Sequence, residues 1–136
     1  RRRYTKKKVK INNKPLHYIS SDGFHIYVGK NNLQNDQLTF HFAVGNDWWF
    51  HAKQAPGSHV IVRTNGAELP DTTFEEAARL AAYYSSMRGS DKVEIDYVEK
   101  KQVKKPGGGK PGFVVYYTNY SMVIDSNISQ IRLCAD

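Results

Sequence analysis

Short segments in which apolar and polar residues alternate recur along the chain, and a period of two is typical of half-buried β-strands. In residues 93–97, for example, Glu94 and Asp96 separate three apolar residues. Turn signals such as Gly and Asn-Gly separate the segments. Alternation, short runs rich in apolar or aromatic residues and the turns between them predict strands at 16–19, 24–28, 47–53, 58–63, 93–97, 113–117 and 121–125. The last two are expected to form a hairpin.

Two other segments have helical spacing. In residues 72–88, apolar positions fall on one helical stripe, and Thr72 and Glu75 have the spacing of an N-terminal capping box. Residues 31–43 contain neither Pro nor Gly and place apolar residues four apart on one face. We therefore predict an α+β fold: a largely antiparallel sheet with one long helix (about 72–88) and one shorter helix (about 31–43) packed on it.

Length and composition indicate one globular domain. The chain has 136 residues, of which 40% are hydrophobic and 24% charged, and it contains no apolar run of the roughly 20 residues that a membrane helix needs. Its single cysteine, Cys134, has no internal partner, which favours a reducing, cytoplasmic location. Because the chain begins with Arg1, we expect an excised domain: a basic flexible arm at 1–14 and a single folded domain at 15–136.

The net charge of +7 is divided unevenly along the chain. Residues 1–14 carry eight basic residues and no acid, and residues 100–112 carry five basic residues and no acid. The remaining seven basic residues are outnumbered by all 13 acids, so the body has a charge of −6. Such segregation favours contact between the basic segments and a polyanion such as RNA, although a solvated arm and a soluble lysine-rich loop would show the same pattern.

The segment 47–51 combines aromatic and hydrogen-bonding side chains. On a strand, Asp47, Trp49 and His51 would share one face. An indole between polar groups suits an unstacked base, because the ring stacks on the base while the polar groups contact its edge. The alternative is that Asp47 bonds a neighbouring backbone group and His51 is a structural histidine.

Signals for catalysis or a metal are weak, so we expect no catalytic residue, no metal site and no cofactor. Ser58 and His59 are adjacent, and neighbours on a strand face opposite sides, so adjacency does not make them a nucleophile–base pair. The histidines lack the usual zinc spacing. The glycine-rich segment 104–112 lacks the Ser or Thr of a phosphate-binding Walker loop. One enzymatic hypothesis remains, in which His51 and His59 meet Asp47.

Several ordered motifs resemble one family. They are DGFHIYVGKNN at 22–32, NDQLT at 35–39, DWWFH at 47–51, PGSHV at 56–60, the alanine-rich stretch 77–85 and the lysine–proline segments within 103–112. Together these segments resemble the NFACT-R domain, the C-terminal domain of the RqcH/Tae2/NEMF proteins. The segment 107–109 is more glycine-rich than the family pattern.

The resemblance implies RNA binding within ribosome-associated quality control. Proteins of this family bind the large ribosomal subunit that carries a stalled peptidyl-tRNA, and they recruit charged tRNA to extend the nascent chain without a template. The tRNA-anticodon determinants of the family lie in an N-terminal domain that this chain does not include. We therefore expect an accessory module, without enzymatic activity, whose partners are tRNA or large-subunit rRNA and other domains of its parent chain, and not a membrane.

The expected RNA contacts combine the basic segments with the polar face of 47–51. They are Lys30, Asn31, Asp47, Trp49, His51, Lys53, Ser58, His59, Arg63, Lys104, Lys105 and Lys110. The acidic body supports a different hypothesis, in which the domain docks on its own chain or on a ribosomal protein. An older name of the family supports another, a fibronectin-binding surface protein.

Overall fold

The structure is a computed structural model that describes residues 14–135, so nearly all of the predicted basic arm lies outside the described residues. Seven strands form one antiparallel sheet in the order β6-β5-β3-β4-β2-β1-β7. The strands are β1 (Leu16–Ile19), β2 (His25–Val28), β3 (Trp48–Ala52), β4 (Val60–Val62), β5 (Val93–Glu99), β6 (Tyr120–Ile124) and β7 (Arg132–Leu133).

Helices cover both faces of the sheet, which confirms the predicted α+β class. Helix α1 (Asn32–Gln37) continues into a wider helical turn at Leu38–Phe42 and lies against one face. Helix α2 (Asp71–Tyr83) packs its alanines and Leu80 against the other face. The small alanine side chains allow this helix to lie close to the strands, and the larger of the two hydrophobic clusters fills the space between them.

Helix α2 is shorter than the predicted 72–88. It begins at Asp71 with Pro70 in the capping position, so Thr72 lies inside the first turn and the predicted capping box is wrong. The helix ends at Tyr83 because the chain then turns toward the segment that precedes β4. There Ser85 bridges to Gly57, and the Ser86 N–H donates to the Pro56 carbonyl at 2.9 Å.

The predicted hairpin of 113–117 and 121–125 is also wrong. Only β6 forms a strand, and it pairs with β5. Residues 113–117 instead cross the sheet face next to α1, where Val115 bridges to Lys104, and Tyr116 donates a hydrogen bond to Asp96 at 2.7 Å. The glycine-rich segment and residues 113–116 therefore act as a cover over β3. A short apolar run in the sequence does not by itself distinguish such a cover from a strand.

Candidate nucleic-acid interface

Strand β3 has the alternation that the sequence predicts, but both of its faces are covered. Trp48 and Phe50 point toward α2, and Trp49 belongs to the cluster under α1. Trp49 is 0% exposed and packs against His51, His59 and Tyr116, with ring centroids 5.6, 5.4 and 5.0 Å away, respectively. The expectation that its indole stacks on an RNA base is therefore wrong for the folded domain, because no ring face reaches the surface.

Asp47 is also fully buried, and its hydrogen bonds connect the loop before β3 with the loop after β4. Its carboxylate accepts hydrogen bonds from the Val44 N–H at 2.9 Å, the Thr64 N–H at 3.1 Å and Arg63 Nε at 3.1 Å. Arg63 also donates to the Phe42 carbonyl at 2.7 Å and lies 4.1 Å above the Phe42 ring. Asp47 and Arg63 thus form a partly buried ion pair within the fold, and the structure does not bring Asp47 to the polar face predicted for it.

His59 is held as a neutral imidazole in the interior. Its Nε2 lies 3.1 Å from the Gly112 carbonyl, which only accepts, so Nε2 carries the hydrogen and Nδ1 accepts from the Thr39 hydroxyl at 2.7 Å. Its backbone N–H donates to Asn35 Oδ1 at 3.0 Å. Burial, followed by the nearby His51, lowers the pKa of His59 to about 3.

His51 lies beside His59, as the sequence suggested. Their ring centroids are 5.6 Å apart, and burial lowers the pKa of His51 below its ordinary value. Both of its nitrogens face carbonyl oxygens, Nδ1 that of Ala52 at 2.7 Å and Nε2 that of Gly57 at 3.2 Å. Asp47 lies at the opposite end of β3. The three-residue catalytic arrangement is therefore not formed.

The glycine-rich loop is anchored to α1 through one carboxylate. Asp36 pairs with Lys105 and accepts the Gly112 N–H at 3.0 Å. Burial alone would raise the pKa of Asp36, but the hydrogen bonds from Lys105 and Gly112 outweigh it and hold the pKa below its ordinary value. Gly112 has a φ of +83°, and a Cβ there would lie 3.2 Å from the Asn32 carbonyl oxygen, so this position favours glycine.

Between this anchored loop and the turn at 54–57 lies a cleft of about 340 Å³. His51, His59 and the buried Trp49 line its inner part. Phe113, which is 62% exposed, contributes an aromatic side chain near the surface. The cleft thus offers one accessible ring, polar side chains and a volume that accommodates a planar heterocycle.

A second hollow of about 550 Å³ adjoins this cleft, since both are lined by Asn32, Asn35, Pro56 and Gly57. Two exposed cations, Lys30 and Arg88, line the second hollow together with Asn31, Ser58 and Ser85. The Arg88 guanidinium lies 3.9 Å above the Tyr83 ring, and its Nε donates to the Tyr83 carbonyl at 2.7 Å. A cation-lined hollow therefore continues into an aromatic-lined cleft.

The structure separates the predicted contact residues into three groups. Lys30, Asn31 and Ser58 line the cation-lined hollow, and His51 and His59 line the aromatic-lined cleft. Asp47 and Trp49 are buried, and the partly exposed Arg63 and Lys53 are ion-paired with Asp47 at 3.1 Å and Asp96 at 3.2 Å, respectively. Lys104, Lys105 and Lys110 are exposed on the loop, with Lys105 bonded to Asp36.

Sequence reasoning missed Arg88 and Phe113. Arg88 was assigned to the end of the long helix, and Phe113 to a hairpin strand. An aromatic residue directly after a Lys-Pro-Gly segment was the available signal for Phe113. For Arg88 no sequence signal was available, because its position follows from where α2 ends.

Within residues 14–135, no group of three or more His, Cys, Asp or Glu side chains is arranged to hold a metal ion. Over the same part of the chain, no helix is both long enough and apolar enough to cross a membrane.

Comparison with known proteins agrees with the resemblance seen in the sequence. Residues 14–118 match the family described as NFACT protein RNA binding domain. The chain is 48% identical over 116 residues to the Rqc2 homolog RqcH of Streptococcus suis, which covers 85% of this chain and 21% of the relative. It is 44% identical over 119 residues to the Rqc2 homolog RqcH of Bacillus subtilis, which covers 87% and 20%, respectively.

A solved structure supports the same assignment. It is described as the C-terminal of the fibronectin/fibrinogen-binding protein from Streptococcus suis, and it superimposes with a TM-score of 0.84 at 43% identity. The alignment covers 91% of this chain and 51% of that one. The chain thus spans about a fifth of the length of the RqcH relatives that it matches. On the match over residues 14–118 and the identity to these relatives, the chain belongs to the family of NFACT protein RNA binding domains.

Proposed function

We propose that this domain binds an unpaired segment of RNA across the two adjoining cavities. The observation that carries the proposal is the continuity of the cation-lined hollow with the aromatic-lined cleft through four shared residues. A nucleotide combines an anionic phosphate with a planar base. Proteins bind single-stranded RNA through both features, because Lys and Arg contact the phosphates and aromatic rings stack on the bases.

The contacts follow from the exposure of each side chain. Lys30 and Arg88 supply positive charge to phosphates, and Arg88 is already oriented by its stacking on Tyr83. Phe113 supplies the stacking surface that the buried Trp49 does not offer. His59 shapes the inner part of the cleft as a neutral ring, because burial lowers its pKa to about 3, and His51 lies beside it.

The identity to the RqcH relatives supports a role for this RNA-binding module within ribosome quality control. In the proposed role, the parent protein is a cytoplasmic factor that binds the large ribosomal subunit carrying a stalled peptidyl-tRNA and recruits charged tRNA for template-free tailing of the nascent chain. The present domain contributes RNA contacts, from tRNA or large-subunit rRNA, and performs no chemical step itself.

Binding of a fluorescently labelled 12-nucleotide uridine RNA, measured by anisotropy, tests the proposal. Replacement of Phe113 by Ala is expected to weaken binding by about 1–3 kcal/mol, the usual value of one base–aromatic stack. Lys30→Gln and Arg88→Gln are each expected to weaken binding several-fold through the loss of a phosphate contact.

Arg132→Gln is the matched control. It removes one positive charge from exposed strand β7, where Arg132 pairs with Ile19 near the start of β2, whereas Lys30 follows the end of β2. Arg132→Gln is expected to leave the affinity unchanged within about two-fold. If Arg132→Gln weakened binding as much as Lys30→Gln, or if Phe113→Ala had no effect, RNA would not bind across the two cavities.

A further inference from the structure

A groove with a different character lies on the α2 face of the sheet. Its walls are aromatic: Trp48 contacts Phe74 with ring centroids 4.9 Å apart, and Tyr97 contacts Tyr120 at 5.6 Å. One part of the groove, of about 420 Å³, lies between the start of α2 and strand β6, where Tyr120 is 60% exposed. Tyr120 therefore presents an accessible ring beside the partly buried rings of Trp48, Phe74 and Tyr97.

The other part of this groove is a hollow of about 480 Å³, which is continuous with the first part because Trp48 and Phe74 line both. We call the two hollows together the aromatic groove. Each part has two carboxylates: Asp71 and Glu75 line the first, and Glu68 and Glu99 line the second. The groove therefore repeats one combination, aromatic walls with acidic groups, on both sides of the Trp48–Phe74 pair.

The acidic groups of the first part are not neutralised by the fold. Among residues 14–135, no Lys or Arg lies within 4.0 Å of the carboxylate of Asp71 or Glu75. Arg79, one helical turn from Glu75, is bonded to Asp125 at 3.1 Å. The pKa of Tyr97 is raised, mainly by burial, then by the neighbouring Tyr120 and then by the charge of Asp71, so Asp71 lies close enough to act on the groove wall.

In the second part, Glu99 is paired with Lys101 at 3.4 Å, across a largely exposed contact. A solvent-exposed pair of this kind contributes little stability and exchanges readily with another cation. Glu68 is exposed and lies on the loop before α2. The second part therefore also favours a positively charged group.

Aromatic faces combined with carboxylates bind guanidinium and ammonium groups, through cation–π contact and ion pairing together. The same carboxylates repel phosphates, and a second copy of this face would bring identical negative charges. We propose that the aromatic groove is a docking site for a protein segment that presents Arg or Lys side chains. Arg is the better fit, because its planar group stacks on rings and pairs with a carboxylate simultaneously.

This docking site is separate from the proposed RNA site. The groove lies at the first turn of α2, whereas Arg88 of the cation-lined hollow follows the end of the same helix. A helix of 13 residues is about 20 Å long. The domain would then contact RNA at one end of α2 and a basic polypeptide at the other.

The probe is a capped nonapeptide of three Gly-Gly-Arg repeats, with a Gly-Gly-Gln nonapeptide as the neutral control, titrated into the full chain. The indole N–H signal of Trp48 in ¹H–¹⁵N spectra is the readout, and that of the buried Trp49 serves as an internal reference. The proposal predicts a saturable shift of the Trp48 signal with the Arg peptide, a much smaller shift of Trp49, and no saturable shift with the Gln peptide. The absence of a saturable Trp48 shift would overturn it.

Two double variants separate the groove from general charge attraction. Asp71→Asn with Glu75→Gln is expected to weaken peptide binding at least five-fold. Asp91→Asn with Glu94→Gln, which removes the same charge from exposed positions outside the groove, is expected to change it less than two-fold. Equal weakening by both would contradict the proposal. Uridine RNA affinity of the Asp71/Glu75 variant is measured in parallel and is expected not to fall, so the two proposals fail or succeed separately.

Discussion

The 47–51 segment has residue types that commonly contact RNA, but its Asp47 and Trp49 lie in the interior of the fold. Trp49 is buried with its indole N–H unpartnered among the described residues, a state that usually costs about 1–3 kcal/mol. The ring contacts with His51, His59 and Tyr116 must outweigh that cost. We infer that Trp49 stabilises the packing of residues 104–116 over β3, and that Phe113 rather than Trp49 contacts RNA.

The residue-scale prediction concerns Trp49. Trp49→Ala is expected to lower the free energy of unfolding by about 3–5 kcal/mol, because it removes a large side chain from a closely packed cluster. Trp49→Phe is expected to cost less, since it keeps a ring and removes the unpartnered N–H. Urea denaturation measures both. A folded Trp49→Phe variant that had lost RNA affinity would show that the indole contacts RNA directly.

At the scale of elements, the segment from Lys104 to Tyr116, which covers β3 and which we call the lid, is fixed to the rest of the fold at defined points. The Asp36 carboxylate holds Lys105 and the Gly112 N–H, and His59 donates to the Gly112 carbonyl. The same segment forms one wall of the cleft through Gly112 and Phe113. The position of the stacking ring therefore depends on an ion pair between the lid and α1.

Asp36→Asn tests this dependence. The amide retains an acceptor for the Gly112 N–H but loses the ionic attraction to Lys105, so opening of the lid becomes easier. Amide hydrogen exchange is expected to accelerate several-fold at Gly112, whose N–H donates to Asp36, while exchange in β3 stays unchanged. Asp91→Asn, on an exposed loop, is the control. Unchanged exchange at Gly112 in the Asp36 variant would show that the ion pair does not hold the lid.

The local pattern of the sequence predicted most strands and both helices, although several paired strands, such as β3 and β5, are distant in sequence. This pattern placed β1 at its observed bounds, and the strands β2 to β6 within a few residues. It failed at the lid, because residues 113–117 form a short apolar run like that of a buried strand, but their side chains cover another element. It also failed at the ends of α2, where Pro70 and the bridge of Ser85 to Gly57 set the bounds.

The sequence predicted part of the candidate site. The exposed Lys30 and the pair His51 and His59 lie in the cavities, and a period of two placed the histidines correctly. The burial of Asp47 and Trp49 was not predictable, because it depends on tertiary contacts, those of Asp47 with Arg63 and Thr64 and that of Trp49 with Tyr116. Alternation shows which side chains share a face but not whether that face is covered.

At the scale of the whole molecule, stability is coupled to pH through the interior histidines. His59 is neutral in the folded state, with a pKa of about 3, whereas its ordinary value is 6.5. Between these values the unfolded chain binds a proton that the folded chain does not, so acid favours unfolding. The stabilisation is complete above pH 6.5 and is lost progressively as the pH falls toward 3.

We therefore expect the free energy of unfolding to fall by about 2 kcal/mol between pH 6.5 and pH 5 on account of His59, at about 1.4 kcal/mol for each pH unit. Urea denaturation at a series of pH values measures the slope. In a His59→Gln variant the slope is expected to decrease but not to vanish, because the lowered pKa of His51 acts in the same direction. An identical slope in the variant and the parent would exclude His59 as the cause.

The most direct test of the central claim is to map where RNA contacts the domain. The full-length protein, purified with its RNA after ultraviolet cross-linking in cells, is digested, and the peptides that carry nucleotides are identified by mass spectrometry. The account predicts cross-links at Phe113 and around Lys30 and Arg88, which line the two cavities. Cross-links confined to β6 and the start of α2, or found only in other domains, would contradict it.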